Sequence, residues 1–91
     1  MNICFISGKI ISDISFKFIV NGQNISICYF NIELSNKSIV KCLAYNEMAD
    51  SCYFKVRNGD FVYIQGFLNS NYDVIIEYYC KQYYGDNFLK K

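Results

Sequence analysis

The chain has 91 residues and a net charge of +1, enough for one modest core and too little charge to mark a strongly basic nucleic-acid binder by total charge alone. Its 53% hydrophobic content is ample for that core, and nine Tyr and eight Phe exceed what so small an interior absorbs, which places rings on a surface or in a subunit contact. No His is present, which argues against a zinc site and leaves acid–base catalysis few groups to work with.

Ile3 to Ser12 reads as a long first strand in which Gly8 marks a bulge or a close backbone approach. Phe16 to Val20 is a second extended piece. Asn21-Gly22 then gives the strongest hairpin signal in the chain, because both residue types tolerate positive φ. The next strand, Ile25 to Leu34, changes its apolar parity from Ile25 and Ile27 to Phe30, Ile32 and Leu34. A period of two changes phase only through an extra residue, so a bulge is expected near Cys28-Tyr29.

After a polar turn at Ser35 to Ser38, the segment Ile39 to Tyr45 alternates. Val40, Cys42 and Ala44 are expected inside, with Ile39, Lys41, Leu43 and Tyr45 outside. Asn46 is placed to cap a helix whose apolar stripe runs through Met48, Cys52 and Val56, with Ala49 and Tyr53 beside it. Lys55 and Arg57 suit the negative end of its dipole, and Gly59 the position after it. Phe61 to Leu68 alternates again, with Val62, Ile64, Gly66 and Leu68 on the inner face. Asn69-Ser70-Asn71 makes a tight turn into the last strand, Tyr72 to Gln82.

Five main strands with one helix between strands 3 and 4 is the order of an OB-fold, an all-β, five-stranded Greek-key barrel. The expected organisation is a single domain over residues 1–91, with a core at about 2–82 and a short extension at 83–91. The five Cys, at positions 4, 28, 42, 52 and 80, include no C-x-x-C pair, and their odd number leaves at least one unpaired. They read as small buried apolar residues in a reducing cytosol. No apolar run approaches the roughly 20 residues of a membrane span, and the chain is expected to be cytoplasmic.

The residues resemble the bacterial single-stranded DNA-binding (SSB) family. The opening N-I-C-F-I-S-G-K-I-I-S-D carries Asn2, Gly8 and Asp13 at the family's spacing. Lys17-Phe18 and Asn21-Gly22 match its basic–aromatic pair and turn. Cys42 to Gly59 resembles the family's strand, helix and Gly, and Val62, Ile64, Gln65, Gly66 and Leu68 its V-x-V-E-G-x-L strand. The turns at Ser35–Ser38 and Asn69–Asn71 are shorter than the loops of typical members. The chain ends at Phe88-Leu89-Lys90-Lys91 with no acidic tail, a form also similar to the PriB-type primosomal relatives.

The resemblance implies sequence-tolerant binding of single-stranded DNA during replication, repair, recombination or mobile-element transfer. It implies a face carrying Lys41, with Tyr45 where the family places a stacking ring. It also implies a role for Tyr72, which resembles the aromatic near the base of the family's long hairpin. Tyr29, Tyr63 and Phe67 point away from the inferred core and are candidates either for base stacking or for subunit pairing. Lys9 and Lys17 are candidate phosphate contacts.

The cluster Tyr78, Tyr79, Tyr83 and Tyr84 reads as core and subunit contact. No catalytic residue, cofactor or metal is expected, and the carboxylates read as solvated surface groups. The expected partners are single-stranded DNA, further copies in a homodimer or homotetramer, and replication proteins, with no membrane. Two other readings remain open: a primosome-type accessory acting mainly through protein contacts, and an OB oligomerisation module that binds no nucleic acid.

Overall fold

A computed structural model describes residues 2–82; the C-terminal extension, with Tyr83 and Tyr84, lies outside the described residues. Six strands and one helix follow in the order β1 (Ile3–Ile10), β2 (Ser15–Asn21), β3 (Gln23–Glu33), β4 (Ile39–Tyr45), α1 (Glu47–Lys55), β5 (Phe61–Leu68) and β6 (Val74–Gln82). The sheet runs β1-β5-β6-β4-β3-β2, and an additional β1–β3 pairing closes it. The closed ring therefore holds five strands, with β2 attached outside it by pairing to β3. Counted along the ring, the helix falls between the third and fourth strands, as in an OB-fold.

Alternation places the core. Cys28, Phe30 and Ile32 of β3, Cys42 and Ala44 of β4, Val62 and Ile64 of β5, and Val74 and Ile76 of β6 are buried together with Ile10. α1 caps them with Ala49, Cys52 and the following Val56. Burial of Cys28, Cys42 and Cys52 pushes their thiols up to about 11, 12 and 12, so they stay protonated and behave as small apolar groups. Cys80 departs from the expected burial and is exposed.

Two seams close the barrel, each with a short register. β1 meets β3 at Lys9↔Glu33 and Ile10↔Ile32, and β4 meets β6 in parallel at Cys42↔Val74 and Leu43↔Ile75. Gly8 stands where β1 passes from β5 to β3. A Cβ there would collide with the carbonyl oxygen of Glu33, so this residue serves close backbone approach. The β1–β5 register runs unbroken through it, so there is no bulge.

Asn2 extends the β1–β5 ladder with its side chain, whose Nδ2 donates to Leu68 O at 3.1 Å while its Oδ1 accepts from Leu68 N at 3.3 Å. Asp13 Oδ1 accepts from Asn58 Nδ2 at 3.3 Å. The Asn, Gly and Asp of the opening motif are thus all placed to hold the barrel.

Four local expectations are corrected. β3 has no bulge near Cys28-Tyr29: Ser26, Cys28, Phe30 and Ile32 are buried in unbroken alternation, and its registers with β2 and β4 are continuous. Ile25 and Ile27 are half-buried on the outer face, so the apparent change of parity came from reading outward isoleucines as core. The register shift occurs instead between Gln65 and Gly66, where Gln65 pairs with Tyr78 and Gly66 with Ile76, leaving Glu77 as the extra residue of β6.

Asn46 precedes α1 at φ 56°, but its side chain makes no capping bond; only its carbonyl accepts, from Asp50 N. At the other end Arg57 does complement the helix, its Nη1 donating to the carbonyls of Val56 at 2.9 Å and Phe54 at 3.2 Å. The helix ends at Lys55, and Gly59, at φ 99°, turns the chain into β5 rather than closing the helix. Likewise Tyr72 belongs to the β5–β6 turn at φ 65°, and β6 begins at Val74.

Candidate nucleic-acid interface

Residues directly opposite in an antiparallel pair share a face, so the registers alone assemble the outer surface of β2, β3 and β4. Lys17 lies opposite Ile27, which lies opposite Tyr45. Ser15 lies opposite Tyr29, which lies opposite Leu43, and Asn31 lies opposite Lys41. Four of the expected residues, Lys17, Tyr29, Lys41 and Tyr45, therefore occupy one continuous face.

Within it the Lys41 ammonium sits 4.9 Å from the centroid of the Tyr29 ring, a cation–π contact that fixes a positive charge above an aromatic plane. Tyr45 is 40% exposed at the end of β4 and Lys17 is exposed. A shallow cleft of about 330 Å³ opens beside Lys41, lined by Ser12, Asp13, Ser15, Tyr29, Phe30 and Asn31.

The remaining expected residues lie elsewhere. Tyr63 and Phe67 sit on the outer face of β1, β5 and β6, where Ser7 lies opposite Tyr63 and Ile3 opposite Phe67. Tyr63 stacks on Phe5 with centroids 6.4 Å apart and planes at 25°. This face is predominantly apolar, exposing Ile3, Phe5 at 59%, Phe67 and Tyr78. Lys9 lies at the β1–β3 seam, opposite Glu33 on one side and Phe61 on the other. Tyr72 stands at the tip of the β5–β6 turn, 79% exposed. Because β6 enters parallel to β4 at Cys42↔Val74, that tip projects toward the Ile39 end of β4, away from Tyr45.

Sequence reasoning missed Ile27, which joins Lys17 to Tyr45. A hairpin turning at Gly22 carries the missing signal, because counting outward from Gly22 sets Lys17 against Ile27. It also missed Phe5 and Ile3, whose alternation with Cys4 and Ile6 in β1 marks them as outward.

Tyr79 is turned inward, and its hydroxyl lies 2.7 Å from that of Ser51 on α1. Burial pushes its phenol up, partly countered by that bond. Tyr78 is outward, so the expected Tyr cluster is split between interior and surface. Among the described residues no group of three His, Cys, Asp or Glu could hold a metal ion, and no helix is long and apolar enough to cross a membrane.

No protein family and no curated protein matches the sequence. The fold has many counterparts among solved structures. The single-stranded DNA-binding protein of Thermus aquaticus superposes with a TM-score of 0.80 at 17% identity, over 93% of this chain and 42% of that one. The SSB domain of a Synechococcus protein gives 0.75 at 15% identity, over 87% and 93% of the two chains. PriB of Ralstonia solanacearum gives 0.65 at 14% identity, over 90% and 99%. The chain is thus built on the fold of SSB and PriB proteins, which is the fold its sequence resembles.

Proposed function

We propose that the protein binds single-stranded DNA with little sequence preference, through the outer face of β2, β3 and β4. The observation that carries this reading is the grouping of Lys41, Tyr29, Tyr45 and Lys17 on one exposed face of a fold shared with single-stranded DNA-binding proteins. Strand binding without sequence readout needs cations that follow the phosphates and rings on which any base can stack, and this face offers both. Ser15 and Asn31 supply neutral hydrogen-bonding groups along the cleft, and Asp13, which also lines it, limits the path of the phosphates by repulsion.

The net charge of +1 is compatible with this, because the cations are local. Lys9, at the β1–β3 seam, and Tyr72, at the hairpin tip, extend the path beyond the face. Tyr63 and Phe67 have a different role, since the apolar face of β1, β5 and β6 to which they belong pairs copies of the chain into a homodimer or homotetramer. The protein acts in this reading as a binding module and not as an enzyme, in a reducing cytosol that suits five free thiols, during replication, repair, recombination or mobile-element transfer.

The likeness to PriB, which spans nearly the whole of that chain, supports a second reading in which a replication protein is the main partner and DNA affinity is secondary. Titration of oligo-dT at two salt concentrations tests the first reading. Salt-sensitive binding that weakens in Tyr45→Ala and Lys41→Ala supports it. Binding indifferent to both substitutions would remove this face from the site.

A further inference from the structure

β2 is a free edge. It pairs with β3 along one side only, through a continuous register from Ser15↔Tyr29 to Asn21↔Gln23, and among the described residues no backbone group of another element bonds to its other side. Edge strands are ordinarily protected by charge, by proline, by a bulge or by brevity. This one has seven residues, its register has no bulge, the chain contains no Pro, and Lys17 is its single charge. It also exposes large apolar side chains, Phe18 at 57% and Val20 at 72%, with Ile19 on the opposite face. The strand is held firmly, since Phe16 packs on Tyr53 of α1 with ring centroids 4.7 Å apart.

We propose that this edge pairs with the same edge of a second copy, antiparallel about a two-fold axis through Phe18. The occupant follows from the register. Centred on Phe18, the pairing sets Phe16 against the partner's Val20 and Lys17 against the partner's Ile19, so the only charge on the strand never meets itself. Like faces also meet like: Phe16, Phe18 and Val20 form one apolar row across the axis. A register shifted by one residue would set each apolar row against the opposite face of its partner, a cost that pins the centred alignment. An isologous contact of this kind is self-complementary and leaves no open edge on β2.

The contact is independent of the DNA-binding reading and uses a different surface from the apolar face of β1, β5 and β6. It has one geometric effect on the former: Lys17 and Ile19 lie on the outer side, so the cation–aromatic face of one copy runs without interruption into that of the next.

The test uses the full chain. Position 18 faces itself across the axis, so Phe18→Lys and Phe18→Glu are each expected to halve the assembly mass by light scattering, and an equimolar mixture of the two to restore it. In chains that also carry Cys80→Ser, Phe18→Cys is expected to form a disulfide between copies on mild oxidation, since directly opposed residues stand about 4.5–5.5 Å apart at Cα. Val20→Cys, which faces position 16, is not. An unchanged mass in both charged variants overturns the proposal. So does a mass loss that mixing fails to repair, or equal cross-linking at positions 18 and 20. Loss of oligo-dT affinity in the charged variants without any change of mass would overturn it in favour of a nucleic-acid contact at this edge.

Discussion

The two outer faces of this barrel are built by the same rule and end in different chemistry. On both, every second residue points away from the core. On β2, β3 and β4 the outward residues mix cations, amides and rings: Lys17, Asn31 and Lys41 with Tyr29 and Tyr45. On β1, β5 and β6 they are mostly apolar, with Ile3, Phe5 and Phe67 around the stacked pair Phe5–Tyr63. Lys9 is the outward cation of β1, and it lies at the seam rather than among the rings. A ring beside a cation suits a polyanion with flat bases, whereas a ring among aliphatic side chains suits another apolar surface. An excess of aromatic residues is therefore not one signal but two, separated by what stands opposite each ring.

The comparison is broken most completely by a charge on the apolar face. Phe5→Lys places an ammonium against the rings through which copies are proposed to pair, so the assembly mass in light scattering is expected to fall while each subunit keeps its oligo-dT affinity. An unchanged mass would make the two faces equivalent. Gly8→Ala acts on the seam that both faces share. Its methyl would overlap the Glu33 carbonyl, and overpacking of that kind costs about 1–3 kcal/mol, visible as a lower denaturation midpoint with both activities reduced together.

Tyr45→Ala sharpens the comparison from the other side. Loss of one stacking ring is expected to weaken oligo-dT binding by about 1–3 kcal/mol, with mass and thermal midpoint unchanged. Lys41→Ala has the smallest effect: a modest affinity loss and a salt-dependence slope reduced by about 0.7, the single-strand value for one phosphate contact. An unchanged slope would show that Lys41 serves only Tyr29.

Much of this was legible in the sequence, because alternation is local. In β4 and β5 the inward residues Cys42, Ala44, Val62 and Ile64 are small or branched apolar, and they alternate cleanly with outward Lys41, Tyr45 and Tyr63. The OB-fold followed from the order of such segments. Two things were not legible. One was the phase of β3, where apolar residues occupy both faces: Ile25 and Ile27 compete with Cys28 and Phe30 for the core, and only the neighbouring strands decide between them. The other was adjacency. Nothing local says that Tyr29 stands beside Lys41, since the contact depends on the β3–β4 register. Nor does anything local say that Tyr63 stands with Phe5 rather than with Tyr45.

The extra residue at Glu77 has a consequence for how this protein tolerates change in length. Before it, even-numbered residues of β6 face inward, as Val74 and Ile76 do; after it the parity is reversed, so Tyr79 turns in to meet Ser51 and Tyr78 turns out. Deleting that single residue would only remove the bulge, leaving Ile76 inward, Tyr78 outward and Tyr79 inward in plain alternation, whereas deleting a regularly paired neighbour such as Ile75 would act on β6 as a frameshift acts on a reading frame. An insertion in the turn at Ser35–Ser38, which lies between strands rather than within one, would leave every phase intact. The chain is thus permissive to added residues at its turns and, in its last strand, to the loss of the bulge residue but not of a regularly paired one.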